Sequence, residues 1–151
     1  MFRPPFIFHR GFDMRTPSIL ALALLSLAAA SSVHAAGKDP AAICAEAEER
    51  YVSLIGHPSS EAEGVVVVTM YKYNFCPAQI AVPVGTTVRW VNVDKRTSHS
   101  VLSPDAGMPE SDRAFPDESV EFTFLVPGEQ DYLCGPHWET RDMIGMVTVE
   151  E

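Results

Sequence analysis

Residues 64–92 read GVVVVTMYKYNFCPAQIAVPVGTTVRWVN. Valine, isoleucine, threonine and aromatic side chains dominate this stretch, and residues of that shape suit a pleated surface better than a helix. Val65–Tyr71, Gln79–Val82 and Thr86–Asn92 therefore predict strands, with Pro83-Val84-Gly85 as a turn. The same texture continues in Ser98–Leu102, Ser119–Val126, Gln130–Cys134 and Met143–Glu150, punctuated by Pro104-Asp105-Ala106-Gly107 and Pro127-Gly128-Glu129. Short strands at near-regular spacing predict an all-β domain over residues 64–151, a small antiparallel β-sandwich.

Towards the N-terminus the pattern changes. Asp39-Pro40 followed by AAICAEAEERYVSLIG carries an N-cap residue, a proline at the first helical position and a stop at Gly56. A short N-terminal helix is expected over residues 40–55, followed by the linker His57-Pro58-Ser59-Ser60, so that helix and linker fill residues 36–63. Before them, Arg15, the apolar run Ile19–Ala30 and the small-residue exit Val33-His34-Ala35 are the parts of a secretory signal peptide, expected over residues 1–35. The run is too short to span a bilayer, so no membrane attachment is expected after cleavage. Met14 is an alternative start, because MRTPSILALALLSLAAASSVHA is a complete signal by itself.

The whole chain has 151 residues, one domain's worth, and its 46% hydrophobic against 21% charged residues exclude a disordered polymer. Its formal charge of -9 becomes more negative once Arg3, Arg10, Arg15 and Asp13 leave with the signal. Such a surface repels phosphate backbones and argues against nucleic-acid binding.

The residues with chemistry lie near the C-terminus, in Tyr132-Leu133-Cys134-Gly135-Pro136-His137-Trp138-Glu139-Thr140-Arg141-Asp142-Met143. Cys134, His137 and Met143 bring a thiolate, an imidazole and a thioether onto one loop, and His99 supplies a second imidazole at the start of another predicted strand. A thiolate and two imidazoles with a weak axial thioether suit a copper ion that changes oxidation state. Zinc would accept the Cys and His ligands but gains little from a methionine. Met146 is a second candidate for the axial position, although the alternation of Gly145–Glu150 sets it along a strand wall.

Thr86–Asn92, the run Thr97-Ser98-His99-Ser100-Val101, then Pro127-Gly128 and Tyr132-x-Cys134-x-Pro136-His137, resemble the cupredoxins of the plastocyanin and pseudoazurin type. The resemblance covers roughly residues 65–150. It implies a Greek-key β-sandwich holding one type 1 copper ion, with His99, Cys134, His137 and Met143 as ligands. The stretches around His99 and Cys134 also resemble the CopI-like periplasmic cupredoxins linked to bacterial copper tolerance. The spacing from His137 to Met143 is one residue longer than the plastocyanin-like pattern, and the helix carrying Cys44 lies outside it.

If Cys134 binds copper, Cys44 and Cys76 remain as a disulfide pair in an oxidising compartment, tying the helix to the sandwich. The rival is a further soft-metal site from Cys44, Cys76 and His57. Asn92 and Ser98 are candidates to brace the loop of His99, and Met108-Pro109 to extend an apolar rim around His137. The acidic stretch Glu110–Glu121 would steer a basic redox partner such as a c-type cytochrome, met transiently by a monomer.

These features point to a soluble periplasmic protein that carries electrons by Cu(I)/Cu(II) cycling. The alternative is a copper-tolerance protein that binds or oxidises excess copper. An enzyme is not expected. Oxygen or nitrite chemistry would need an open coordination position or a second metal, and beyond the signal there are only His57, His99 and His137 to build one.

Overall fold

The computed structural model describes residues 39–151. The signal peptide expected over residues 1–35 lies outside the described residues.

Helix α1 runs Pro40–Ile55. The Asp39 carboxylate accepts the Ala41 N–H at 3.0 Å, and Gly56 closes the helix at φ 97°, a left-handed conformation that a residue without Cβ adopts freely. Ile43, Ala47 and Tyr51 recur one turn apart and form its buried face. A single 3-10 turn, Ser59–Glu61, follows.

Among the described residues, seven strands build two sheets: β1 Val66–Tyr71, β2 Asn74–Cys76, β3 Gln79–Pro83, β4 Thr87–Asn92, β5 Ser119–Thr123, β6 Gly128–Leu133 and β7 Ile144–Glu150. One sheet has the order β2-β1-β4-β5 and the other β3-β7-β6. Between them lie Val68, Met70, Phe75, Val88, Trp90, Phe124, Tyr132 and Val147, all buried. Alternate residues of β1 and β4, among them Val67, Tyr71 and Val91, point to the outer face and pack against Ile43, Ala47 and Tyr51 of α1. The run of valines in β1 thus has no polar alternation because both of its faces are covered.

The expected sandwich and N-terminal helix are present, with three differences. The sheets are mixed rather than wholly antiparallel: β1 runs parallel to β4 and β3 parallel to β7. Alternation in sequence reports which face a residue occupies and carries no information on strand direction. Ser98–Leu102 is an irregular segment held by isolated bridges, His99 to Ala114 and Leu102 to Leu133. Two short elements were not anticipated, strand β2 and a helical turn α2, Trp138–Arg141.

Gly145 of β7 sits opposite Tyr132 of β6, whose ring lies across it and packs edge-on against Phe75 and Trp90. A Cβ at position 145 would stand 2.2 Å from that ring, which has nowhere to move. Gly145→Ala should therefore cost about 1–3 kcal/mol, the usual penalty of overpacking a core. Urea denaturation measures it, and an unchanged midpoint would show that the aromatic cluster can yield.

Candidate metal centre

His99 is fully buried, on the segment that links β4 to β5. Asn92, at the end of β4, braces this segment: its amide donates to the carbonyls of Thr97 and Ala114, and its carbonyl accepts the Asp94 N–H. His99 and Ala114 exchange backbone hydrogen bonds at 3.0 and 2.8 Å. The imidazole is fixed at both ends. Nε2 lies 2.8 Å from the Asp94 carboxylate and Nδ1 lies 3.7 Å from Cys134 Sγ. A neutral ring donating Nε2–H to Asp94 leaves the Nδ1 lone pair free towards the thiol, the tautomer a metal ligand needs.

Cys134 directly follows β6 and is fully buried. The chain then turns so that the Cys134 carbonyl accepts the N–H groups of both His137 and Trp138, which starts α2. This turn returns His137 Nδ1 to 3.3 Å from Cys134 Sγ. The loop continues through α2 to Asp142, which closes it at φ 53°. Aspartate tolerates that left-handed conformation better than most side chains. Met143 follows, fully buried in the same cluster as Cys134, and its carbonyl accepts the Cys134 N–H at 3.1 Å.

The donor atoms of His99, Cys134 and His137 all lie within 4.8 Å of one another, and among the described residues they form the one such group. With first-row metal bonds of about 2.0 Å to nitrogen and 2.3 Å to sulfur, donors in one plane around one ion lie roughly 3.7 Å apart. The nitrogen–sulfur separations of 3.7 and 3.3 Å fit that requirement. The donor set is soft on one side and imidazole on the other, as copper prefers.

Burial pushes the Cys134 thiol up from its ordinary range, against the lowering effect of the Ser100 backbone N–H, the Arg113 charge and the His137 backbone N–H. Metal uptake therefore has to release a proton from the sulfur. Burial also lowers the basicity of His137, helped by repulsion from His99, Arg113 and Arg141 and opposed by Asp94.

The structure thus brings together the donor atoms of His99, Cys134 and His137, and it buries Met143 in the same apolar cluster as Cys134. Met146 lies on the other face of β7, partly exposed between the inward-facing Gly145 and Val147. The soft-metal alternative at Cys44, Cys76 and His57 is overturned, because Cys44 and Cys76 are joined in a disulfide. Met108 is buried in the core rather than forming an exposed rim. The serine that matters near His99 is Ser100, not Ser98: its hydroxyl donates to Glu110 at 2.6 Å, and that carboxylate fills the space above Gly135. The parts played here by Asp94, Ser100 and a tyrosine at position 73 escaped the reading of the sequence, which took Glu110 only as the start of an acidic stretch. Only Asp94, close before His99 on one loop, carried a local signal.

Residues 62–150 match the family described as copper binding proteins, plastocyanin/azurin family. Halocyanin of Natronomonas pharaonis is 41% identical over 96 residues, a stretch covering 57% of this chain and 56% of that protein, so the chain spans about half the length of that relative. Among solved structures, the reduced Cu(I) form of an amicyanin point mutant at pH 4 matches 61% of this chain and 89% of its own, with a TM-score of 0.52 and 29% identity. An oxidised amicyanin mutant matches the same shares at a TM-score of 0.51 and 30% identity. The sandwich, the donor group and these matches agree, and the chain belongs to the plastocyanin/azurin family of copper-binding proteins.

Proposed function

We propose that this protein is a one-electron carrier with a single type 1 copper site, which His99, Cys134 and His137 would hold as strong ligands and Met143 as a weak one. The observation that carries this reading is the convergence of two imidazole nitrogens on one buried sulfur, within 4.8 Å. Copper bound there supplies a Cu(I)/Cu(II) couple. The chain's part is to hold the donors rigidly. Asn92, Asp94 and the Ala114 bridge fix His99, while the α2 turn fixes His137, so little has to move when the charge changes. His137 is only partly buried and is followed by the exposed Trp138 and, after Met143, Ile144. Electrons would pass at this edge to a transiently docked partner such as a c-type cytochrome, which the monomer's acidic surface would steer.

The Cys44–Cys76 disulfide supports work in an oxidising compartment, here the periplasm, reached through a signal at residues 1–35. Residues 64–151 are then the copper domain, with the helix and linker of residues 36–63 as its extension. A copper-tolerance protein would use the same donors, differing in slow electron exchange and in induction by copper.

Titration with Cu(II), followed by visible absorption and EPR, tests the reading. An intense thiolate-to-copper band saturating at one equivalent, with narrow copper hyperfine splitting, is the expected result. A pale solution with ordinary copper EPR would sink it. In the loaded protein, Met143→Leu should keep the colour and shift the reduction potential, and an unchanged potential would move the axial role to Met146. Fast exchange with a c-type cytochrome would then separate a carrier from a tolerance protein.

A further inference from the structure

We propose that helix α1, the whole of which precedes the family-matched segment, is a positioning element for the two imidazoles of the copper centre, acting through Glu46 and the Lys72–Tyr73 turn. The proposal rests on the reading of His99 and His137 as ligands.

The turn between β1 and β2 has Lys72 at φ 48° and Tyr73 at φ 63°. Two successive left-handed residues make the tight hairpin that twisted strands prefer, but its usual occupants are asparagine and glycine. A lysine and a tyrosine there need support from their surroundings. The support comes from three directions. Asn74 donates its side-chain amide to the Lys72 carbonyl, and the Lys72 N–H donates to Asp94 Oδ2 at 3.1 Å. From the helix, Glu46 pairs with the Lys72 ammonium and accepts the Tyr71 hydroxyl. Arg50, one turn further along α1, lies over the Tyr71 ring at 4.7 Å.

The same turn touches both imidazoles. The Tyr73 ring meets His137 edge-on with centroids 4.9 Å apart and stands 6.3 Å from His99, while Arg141 covers it at 4.8 Å. Asp94 Oδ2, which receives the Lys72 N–H, is the oxygen that meets His99 Nε2. Displacing the turn would therefore turn one imidazole through an aromatic contact and the other through a shared carboxylate oxygen. Glu46 is partly exposed and outside both apolar clusters, so its contact with the turn is separable from the packing of α1.

The test compares Glu46→Ala with Tyr73→Ala and Tyr73→Phe. Its control is Glu49→Ala, which removes the same charge from the exposed side of α1. Ring-proton NMR of His99 and His137 is recorded in the copper-free protein and in the diamagnetic Cu(I) form. Glu46→Ala should move the His137 signals in the direction seen for Tyr73→Ala, while Tyr73→Phe and Glu49→Ala leave them in place. The reduction potential should shift in Glu46→Ala beyond any shift in Glu49→Ala. Lys72→Met, which breaks the same contact from the sheet side, should reproduce both effects. Unmoved imidazole signals in Glu46→Ala and Lys72→Met, or potentials no different from Glu49→Ala, would overturn the proposal. Should the unaltered protein lack a type 1 spectrum, the copper reading falls by itself, and the copper-free spectra still decide whether α1 sets the imidazoles.

Discussion

Cys134→Ser should abolish the intense visible absorption of the copper-loaded protein while leaving its fold intact. Serine is close in size to cysteine, and position 134 is fully buried, so no cavity of consequence forms. The new hydroxyl lies within reach of His137 Nδ1, which stands 3.3 Å from the present sulfur, and so has a hydrogen-bond partner. What disappears is the one soft, ionisable donor. A serine hydroxyl does not give up its proton as a thiol does, and a hard oxygen suits Cu(I) poorly. Loss of even an outer partner of a metal ligand costs about 10–100-fold in affinity, so loss of this ligand should cost at least that. Absorption, EPR and a competition titration measure these effects, with far-UV circular dichroism to show that the sandwich persists. A variant that kept the band would remove Cys134 from the site.

How much of this was legible beforehand follows from the range of the interactions. Helix α1 was readable to the residue because its signals are local: Asp39 as cap, Pro40 at the first position and Gly56 at the stop. The strong-ligand candidates were readable because Cys134 and His137 share one loop and because His99 follows a strand of distinctive composition. Strand direction was not, since β1 and β4 become parallel neighbours only through the path of the chain between the two sheets. The irregular course of Ser98–Leu102 was hidden for a related reason. His99 is held by Ala114 and Asp94, contacts that depend on the tertiary fold rather than on a strand ladder. Tyr73 gave no signal at all. A tyrosine in a strand-rich run reads as core or surface, and only the two left-handed residues of its turn bring it to His137.

Removing the disulfide, by replacing Cys44 and Cys76 together with alanine, should have the largest effect on stability. The bridge joins α1 to β2 across a separation of 32 residues. Closing a loop of that length lowers the entropy of the unfolded chain by an amount worth on the order of 3–4 kcal/mol. Spread over a domain of this size, that corresponds to a fall in Tm of roughly 10–20 °C. The helix should nevertheless stay docked, because Ile43, Ala47 and Tyr51 remain buried against Val67, Tyr71, Val91 and Val93. Changing both cysteines leaves no free thiol to compete for copper, so the spectrum of the loaded protein should be retained. Calorimetry with and without copper separates the two contributions, since bound metal stabilises only the folded form. An unchanged Tm would mean that apolar packing alone anchors α1. A retained Tm with a lost spectrum would mean instead that the bridge serves the copper site directly, through the β1–β2 hairpin that carries both Cys76 and the Lys72–Tyr73 turn.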